Sequence, residues 1–337
     1  MARPAPHPAL RQRGLALITA MLVVAVAATT AAYLALDQQI WQRQTENLSE
    51  RAQAEVVRAG ALEWAITILA KDAKESKSDN LKEDWAKKLP SLPVEGGLVT
   101  GEIVDAQSKF NLNNLVSDNE PSALNIGIFQ HLLKSLDIDP NLSDAVIDWI
   151  DSDTNARPGG AEDIDYLQMK TPYRAANQPL QSVEELLLIR GFTPEIVDKL
   201  RPFVVALPAP REINVNTAGE QVLGALFYTL PAAAISNLIA ERDKTPFTDL
   251  DKLKQLLDTL ANGELKTGPY GVTSSYFEVI VYTQFGRYQG STQALIERVA
   301  GSGGFRRLWI SRRLPGWTTT PETTADENPE QPAGENI

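Results

Sequence analysis

The chain has 337 residues, 43% of them hydrophobic and 22% charged, with a formal net charge of −11 and no cysteine. This length leaves room for a membrane segment together with one large or two small domains. The acidic balance disfavours binding to a polyanion such as nucleic acid. The lack of cysteine excludes disulfides, thiol nucleophiles and cysteine metal sites.

A run of 22 uncharged residues extends from Leu15 to Leu36. As a helix it would be about 33 Å long, which matches the core of a bilayer. Arg11 and Arg13 before the run and Asp37 after it predict a cytoplasmic N-terminus, with the bulk of the chain on the other side. An ordinary signal peptide has an apolar core of only about 7 to 15 residues. The run therefore predicts a retained single-pass anchor.

The helical pattern continues beyond this anchor. Apolar residues recur at spacings of three and four as far as Leu69, and no proline interrupts them. The pattern predicts one helix from about Leu15 to Asp72, roughly 87 Å long, whose second half packs on a soluble domain. The following charged stretch, Lys71 to Lys88, is predicted to be a linker with one short helix around Trp85.

Strand-like runs occur in two separate places. The first is "LVTGEIVD", Leu98 to Asp105, and the later ones are "YFEVIVYTQFG", "TQALIERVA" and "FRRLWISRRL". The stretch between them, from Leu124 to about Leu260, has helical patterns separated by turn residues. The order predicts an α+β fold in which a long helix packs on a small antiparallel sheet and a helical domain is inserted between the strands.

The predicted units follow from this order. They are a transmembrane helix at 15–36, the rest of the long helix with the first strands at 37–110, an inserted all-α domain at 111–270, the remaining strands at 271–314, and a disordered tail rich in Pro, Thr and Glu at 315–337.

The segment "LSDAVIDWIDSDTNARPGGAEDIDY" carries the most distinctive local chemistry. Asp144, Asp148 and Asp151 are four and three residues apart, so a helix capped by Ser143 would place three carboxylates on one face. Like charges at this spacing repel one another. A compensating cation is therefore expected.

The loop after that helix has part of the pattern of a calcium loop. Counted from Asp151, the residues Asp151, Asp153 and Asn155 occupy positions 1, 3 and 5, and Glu162 occupies position 12. Position 6 is Ala156, where an EF-hand needs glycine, so the pattern predicts a calcium site with a different loop geometry. Oxygen ligands without His or Cys favour Ca²⁺ over Zn²⁺.

Further candidate ligands and an alternative remain for this loop. Asp163 and Asp165 could also contribute carboxylate oxygens. The alternative is a solvated acidic turn, with Arg157 and Arg174 as its ionic partners.

Two further segments, "SVEELLLIRGFTPEIVDKL" and "INVNTAGEQVLGALFYTLPAAAI", resemble helix-hairpin-helix (SAM-like) elements. Ser182 and Thr217 are predicted to cap their first helices. The turn of the first hairpin contains only one glycine, Gly191, and the turn of the second, "LPAAAI", contains none. Neither hairpin is followed by a basic cluster. The elements are therefore interpreted as packing modules rather than as DNA clamps.

Catalysis has little support in the sequence. The two histidines are His7, near the N-terminus, and His131, inside an apolar helix. No nucleophile motif or glycine-rich phosphate loop accompanies the paired acids Glu162 and Asp163. We do not expect an enzyme.

The N-terminal junction "RQRG" followed by "LALITAML" resembles a class III leader at residues 1–14, which prepilin peptidase cleaves between Gly14 and Leu15. Together with the long helix, "FNLNNL", "DWIDSD…GAEDIDY" and "INVNTA", it makes the chain similar to the minor pseudopilin K family of the type II secretion system, also called general secretion pathway protein K. The resemblance extends from Arg11 to about Arg313.

The resemblance implies a pilin-like fold with an inserted α-domain, held in the inner membrane with its C-terminal part in the periplasm. It implies a place at the tip of the pseudopilus with minor pseudopilins I and J and other pseudopilins, where the subunit initiates or caps the filament that supports export of folded proteins. It also implies methylation of Leu15 and bound calcium. The implied ligands are Asp151, Asp153, Glu162 and Asp163, with Asp148 and Asn155 in addition.

The fifth residue after the cleavage point is Thr19. Most pilin-like subunits have glutamate there, and in the family its carboxylate pairs with the N-terminal amine of the subunit assembled before it. A carboxylate in the bilayer costs at least about 2.5 to 3.5 kcal/mol without a partner, so Thr19 suits a subunit that has none before it. Thr19 could equally be a neutral helix residue.

A second function remains open from the sequence. It is a membrane-anchored DNA-binding protein of an uptake system that uses the hairpins, and the acidic charge disfavours it.

Overall fold

The computed structural model describes residues 12–261, 268–299 and 304–313. Its first element is helix α1, Gln12–Glu75, with 64 residues, or about 96 Å. The predicted continuous helix is confirmed and is three residues longer at each end. Most of the leader and the whole of the tail predicted at 315–337 lie outside the described residues.

Five strands form one antiparallel sheet in the order β1-β2-β9-β10-β11. The four predicted strands are confirmed. One additional strand, β1, directly follows the stretch predicted as a linker, Lys71 to Lys88. The predicted short helix around Trp85 is confirmed as a 3₁₀ turn, Asp84–Ala86. The strands are β1 Leu89–Val94, β2 Gly97–Asp105, β9 Tyr276–Phe285, β10 Tyr288–Arg298 and β11 Phe305–Arg313.

The second half of α1 packs on one face of this sheet. Leu62 and Leu69 of α1 are buried in one cluster with Trp85, Ile103 of β2 and Phe277 of β9. Removing an aliphatic or aromatic side chain of this size from water stabilises the fold by about 1.5 to 3 kcal/mol. Leu62 and Leu69 confirm the face predicted from periodicity, but Leu48 and Val56, which continue the same pattern towards the N-terminus, are exposed.

The direction of the strands relative to α1 follows from contacts at the two ends of the sheet. The β9–β10 turn lies beside Glu50, whose Oε2 accepts a hydrogen bond from Arg287 N–H. At the other end, Arg298 of β10 contacts Asp72, near the C-terminal end of α1. The membrane-distal end of the sheet is therefore the end where β2 finishes and β9 begins.

The chain leaves the sheet after β2 and returns at β9, and the α-domain is inserted there. Its helices are α2 Ala123–Ser135, α3 Leu142–Ile150, α4 Asp163–Leu167, α5 Pro194–Leu200, α6 Glu220–Leu226, α7 Ala232–Lys244 and α8 Leu250–Leu260, with 3₁₀ turns at Ala106–Ser108, Leu112–Leu115 and Val183–Leu188. Short pairs of strands join its segments: β3 Phe110–Asn111 with β6 Val204–Val205, β4 Val116–Ser117 with β5 Glu120–Pro121, and β7 Ile213–Asn214 with β8 Tyr270–Gly271.

Three predictions about helix starts are corrected or refined. Helix α3 begins after Asn141, not after Ser143, because Ser143 lies in the first turn, where its Oγ accepts a hydrogen bond from Gln130. Helix α6 begins after Gly219, not after Thr217. Ser182 does cap its segment, but the segment is the 3₁₀ turn Val183–Leu188 rather than an α-helix.

Candidate metal centre

Three carboxylates meet where α3 ends and α4 begins. Asp151 follows the last residue of α3, and Glu162 precedes the first residue of α4. Oxygen atoms of Asp151, Asp153 and Glu162 lie within 4.8 Å of one another. Asp151 and Glu162 are each only 4% exposed, whereas Asp153 is on the surface. The structure thus brings together three of the six predicted ligands.

Several oxygen atoms at this centre have no hydrogen-bond partner. They are Oδ1 of Asp148, Oδ1 of Asp151, and both carboxylate oxygens of Glu162. Leaving a buried acceptor unsatisfied costs about 1 to 3 kcal/mol, and more when it is charged. These atoms are the ones that a bound cation would satisfy.

Burial also changes the protonation of these groups. Burial, together with repulsion from the neighbouring carboxylates, raises the pKa of Asp148 to about 6 and that of Glu162 to about 7. The pKa of Asp151 is raised too, again mainly by burial. Ionisation of these carboxylates is therefore energetically unfavourable without a nearby positive charge.

Arg157 supplies part of that charge, on one side of the cluster. Its backbone N–H donates to Asp148 Oδ2 at 3.0 Å, and its guanidinium lies 3.8 Å from Asp148 and 3.9 Å from Asp144. Within the described part of the chain, Asp151, Asp153 and Glu162 form no ion pair within 4 Å. The ionic partner anticipated for an acidic turn is present, but it does not reach the three clustered carboxylates.

Three candidate ligands are placed differently. Asp163 accepts hydrogen bonds from Arg174, at 2.7 Å, and from Ala175 N–H, at 3.0 Å, so its carboxylate is already satisfied. Asn155 is exposed, and its backbone N–H donates to Asp153 Oδ1 at 2.7 Å, which fixes the bend of the loop. Asp165 pairs with Arg190 at 3.1 Å instead.

The two glycines of the loop allow it to pass close to α3. A Cβ on Gly160 would lie 1.8 Å from Asp148 Oδ2, and a Cβ on Gly159 would lie 2.7 Å from the carbonyl oxygen of Asn141. Only glycine fits such an approach. The sequence shows the Gly-Gly pair but not what it packs against.

The residues fit Ca²⁺. The donors are carboxylate oxygens without His or Cys, they are close together, and four of their oxygen atoms, including Asp148 Oδ1, have no hydrogen-bond partner. Ca²⁺ takes 6 to 8 oxygen ligands in flexible geometry. Asp151, Asp153 and Glu162 would hold the ion, and Asp148 would lie behind them.

A second group of three carboxylates among the described residues is Asp72, Asp79 and Glu83. Arg298 contacts Asp79 at 2.8 Å and Asp72 at 3.4 Å. The Arg298 guanidinium therefore supplies the positive charge that balances this group.

The pH dependence of stability is expected to report on the candidate centre. Because the pKa of Glu162 is raised to about 7, the metal-free folded chain binds more protons than the unfolded chain between about pH 4.5 and 7. The free energy of unfolding should therefore fall as the pH rises through this window. Thermal midpoints from pH 5 to 8 in chelator, for the wild type and for Glu162→Gln, measure the effect.

The difference between the two proteins reports the Glu162 carboxyl and its repulsion by Asp148, Asp151 and Asp153, since groups far from it titrate alike in both. Wild-type stability should fall relative to Glu162→Gln as the pH rises. A constant difference across the range would contradict the raised pKa.

Both predicted hairpins are present, but Arg190 and Arg242 in them already bond to groups within the α-domain. Arg190 in the first hairpin donates to Asp165 and to the Gly160 carbonyl. Arg242 of α7 is buried, and its guanidinium donates to the carbonyl oxygens of Val215 and Ala218. These two arginines serve the internal structure of the α-domain.

The N-terminal part of α1 fits a membrane anchor. Among the described residues one helix is long and apolar enough to cross a bilayer, with a mean hydropathy of 2.3 in its most apolar window and no buried residue there. Within it, Thr19 Oγ1 donates to the carbonyl oxygens of Leu15, at 3.1 Å, and Ala16, at 3.0 Å. Its hydroxyl is thus satisfied inside its own helix.

Comparison with known proteins gives a consistent result. Residues 108–209 and 213–271 match two family descriptions that both read type II secretion system (T2SS), protein K. The type II secretion system protein K of Pseudomonas aeruginosa is 32% identical over 330 residues, which cover 94% of this chain and 97% of the relative. That of Aeromonas hydrophila is 31% identical, covering 91% of this chain and 98% of the relative.

A solved structure agrees with the sequence relatives. A chain in the crystal structure of the GspK-GspI-GspJ complex from the enterotoxigenic Escherichia coli type 2 secretion system superposes with a TM-score of 0.65 at 26% identity, covering 80% of this chain and 99% of that chain. These comparisons lend no support to the DNA-binding alternative. With its anchor helix, antiparallel sheet and inserted α-domain, this chain belongs to the type II secretion system protein K family.

Proposed function

We propose that this chain is the minor pseudopilin at the tip of the type II secretion pseudopilus. There it initiates or caps the filament together with minor pseudopilins I and J, and so supports export of folded proteins from the periplasm. Its role is assembly rather than catalysis. The solved complex of a related chain with GspI and GspJ supports this choice of partners.

The position of the α-domain carries the proposal. It is inserted after β2 and before β9, at the end of the sheet that lies beside Asp72 rather than beside Glu50. This end is remote from the membrane segment. A bulky domain there obstructs stacking of another subunit above it, which is compatible with a terminal position and not with repeated internal positions.

Thr19 supports the same position. Its hydroxyl is satisfied by its own helix, so it needs no partner in the bilayer. A glutamate there would need one.

Labelling of filaments tests the tip position. Because the chain has no cysteine, Lys134→Cys introduces a single thiol on the exposed side of α2. After coupling to gold, we expect one label at one end of each pseudopilus in electron micrographs. A cysteine variant of the major pseudopilin, which should label the whole length, is the control, and labels of this chain along the filament would exclude the tip position.

Processing is proposed between Gly14 and Leu15, with methylation of Leu15 and insertion as a single-pass inner-membrane protein with a periplasmic C-terminal part. Co-expression with prepilin peptidase should remove residues 1–14 and add one methyl group, as measured by intact mass. Gly14→Val should leave the chain at full length, since the resemblance places Gly14 directly before the cut bond. An unshortened wild-type chain would count against the proposal.

Calcium is proposed as a structural ion of the α-domain. Asp151, Asp153 and Glu162 would bind it, and it would satisfy the buried oxygen atoms that lack partners. The ion would also fix the start of α4 relative to the end of α3.

A further inference from the structure

The segment "INVNTA", residues 213–218, lies at the contact between the α-domain and the sheet. Asn214 is fully buried, and its Nδ2 lies 2.9 Å from Asp105 Oδ2 and 3.0 Å from both the Asp79 carbonyl oxygen and Ser274 Oγ. Thr217 Oγ1 donates to the same Asp105 oxygen at 2.6 Å. Thr217, which was predicted to cap a hairpin helix, makes a long-range contact instead.

Asp105 is the centre of these contacts. It is the last residue of β2, where the chain enters the α-domain, and it is 2% exposed. Its Oδ2 also accepts from Ser274 Oγ, at 2.6 Å, and its Oδ1 accepts from Gln107 N–H, at 2.8 Å. Ser274 lies where the chain returns from the α-domain to β9. The Asp105 carboxylate therefore lies where the chain leaves the sheet, and it bonds both to the segment by which the chain returns and to the α-domain.

Further contacts connect this group of side chains to α1 and to strands β9 and β10. Asp79 accepts from Ser274 N–H, at 2.7 Å, and pairs with Arg298 of β10 at 2.8 Å. Arg298 reaches Asp72 of α1 and lies over the ring of Phe277 of β9, 5.0 Å from its centroid. The anchor helix, the sheet and the α-domain thus share one connected group of polar side chains.

An apolar cluster lies between the same two units. It consists of Ala106, Val205, Leu207, Tyr276 and Leu295. Apolar contact supplies stability without direction, whereas a fully satisfied buried polar group admits few arrangements. The two kinds of contact therefore have different effects on orientation.

We infer that Asp105, Asn214, Thr217, Ser274, Asp79 and Arg298, here called the junction cluster, fix the orientation of the α-domain relative to α1. Asn214 and Thr217 are positioning residues in this cluster. The α-domain then moves as a rigid extension of the anchor helix. This inference does not depend on the tip position or on calcium.

The α-domain contains a matched control for Asn214. Asn113 is also buried, its Nδ2 donates to the carbonyl oxygens of Leu180 and Leu207, at 2.9 and 2.8 Å, and its Oδ1 accepts from Leu180 N–H. All its partners lie inside the α-domain. Leu207 also belongs to the apolar cluster, but none of these partners belongs to the polar contacts of the junction cluster. Asn113→Ala therefore removes hydrogen bonds of the same kind and leaves every polar contact of the junction cluster in place.

Distances between two spin labels test the inference on the full chain in detergent. The labels are placed at Thr67→Cys, on the exposed side of α1, and at Lys134→Cys, on α2. Adding Asn214→Ala should at least about double the width of the distance distribution, because the directional contacts of the junction are lost. Adding Asn113→Ala should lower the thermal midpoint and leave the width unchanged.

Milder substitutions keep the test decisive if Asn214→Ala does not fold. Thr217→Val removes one donor to Asp105 and should broaden the distribution, whereas Thr217→Ser retains the hydroxyl and should restore the wild-type width. If Thr217→Val, or a folded Asn214→Ala, gives the wild-type width, the junction cluster contributes only stability and the inference is wrong.

Discussion

Chelation of calcium is expected to lower the thermal unfolding midpoint of the full chain by about 5 to 10 °C. A ligand that binds only the folded state stabilises it by about 2.7 kcal/mol when present at 100 times its Kd, and 1 kcal/mol shifts the midpoint of a domain of this size by about 2 to 4 °C. The physical reason is that a bound ion would satisfy buried oxygen atoms of Asp151 and Glu162 that have no hydrogen-bond partner. The measurement is a thermal melt in excess calcium and in excess chelator.

Two variants assign the effect to the centre. Asp151→Ala should abolish the difference between the two melts, because it removes a clustered ligand. Asp163→Asn is the matched control, since Asp163 faces Arg174 and the Ala175 N–H instead of the cluster. It should retain the difference, although the family resemblance includes Asp163 among the ligands.

A direct binding signal is available beside the centre. Trp149 lies between Asp148 and Asp151 in sequence and packs edge-on against Tyr166, with ring centroids 5.3 Å apart. Calcium titration should change its fluorescence in the wild type and in Asp163→Asn, but not in Asp151→Ala. Equal midpoints with and without chelator, together with an unchanged fluorescence, would rule out the calcium site.

Substitution of Gly160 by alanine is expected to destabilise the α-domain. In Gly160→Ala the new Cβ would lie 1.8 Å from Asp148 Oδ2 and 2.6 Å from Asp148 Cγ. Asp148 is fully buried and held by the Arg157 N–H, so it cannot move aside without losing that contact. We expect a loss of about 2 to 3 kcal/mol of stability, as in other overpacked sites, and weaker calcium binding.

Gly224 is the control for that substitution. It lies within α6, and nothing lies within 4 Å of a Cβ built on it. Gly224→Ala should stabilise the chain by up to about 1 kcal/mol, because alanine is the better helix former. Chemical denaturation measures both variants. A Gly160→Ala chain as stable as Gly224→Ala would show that the loop does not pass against α3 as described.

Local features of the fold could be predicted from the sequence. The length of α1, the four longer strands and the acidic loop all depend on residues that are neighbours along the chain. Periodicity, charge spacing and turn residues report such features directly. The candidate ligands Asp151, Asp153 and Glu162 belong to this class, because one short loop carries all three.

Features that depend on distant partners could not be predicted. Strand β1 was missed because its pairing with β2, rather than its composition, makes it a strand. Thr217 resembled a helix cap, but its hydroxyl bonds to Asp105, 112 residues away. Arg174 was a candidate partner of the acidic turn, but the fold decides that it pairs with Asp163.

The sequence by itself determined the long apolar helix, the order of elements, the acidic loop and the resemblance to its family, since each rests on local pattern and composition. Only the tertiary structure decided which carboxylates cluster, which are neutralised by arginine, and that Asn214 and Asp105 join the α-domain to the sheet and α1. The physical reason is that the free energy of a buried polar or charged group depends on what surrounds it in space, and those neighbours come from segments far apart in the chain.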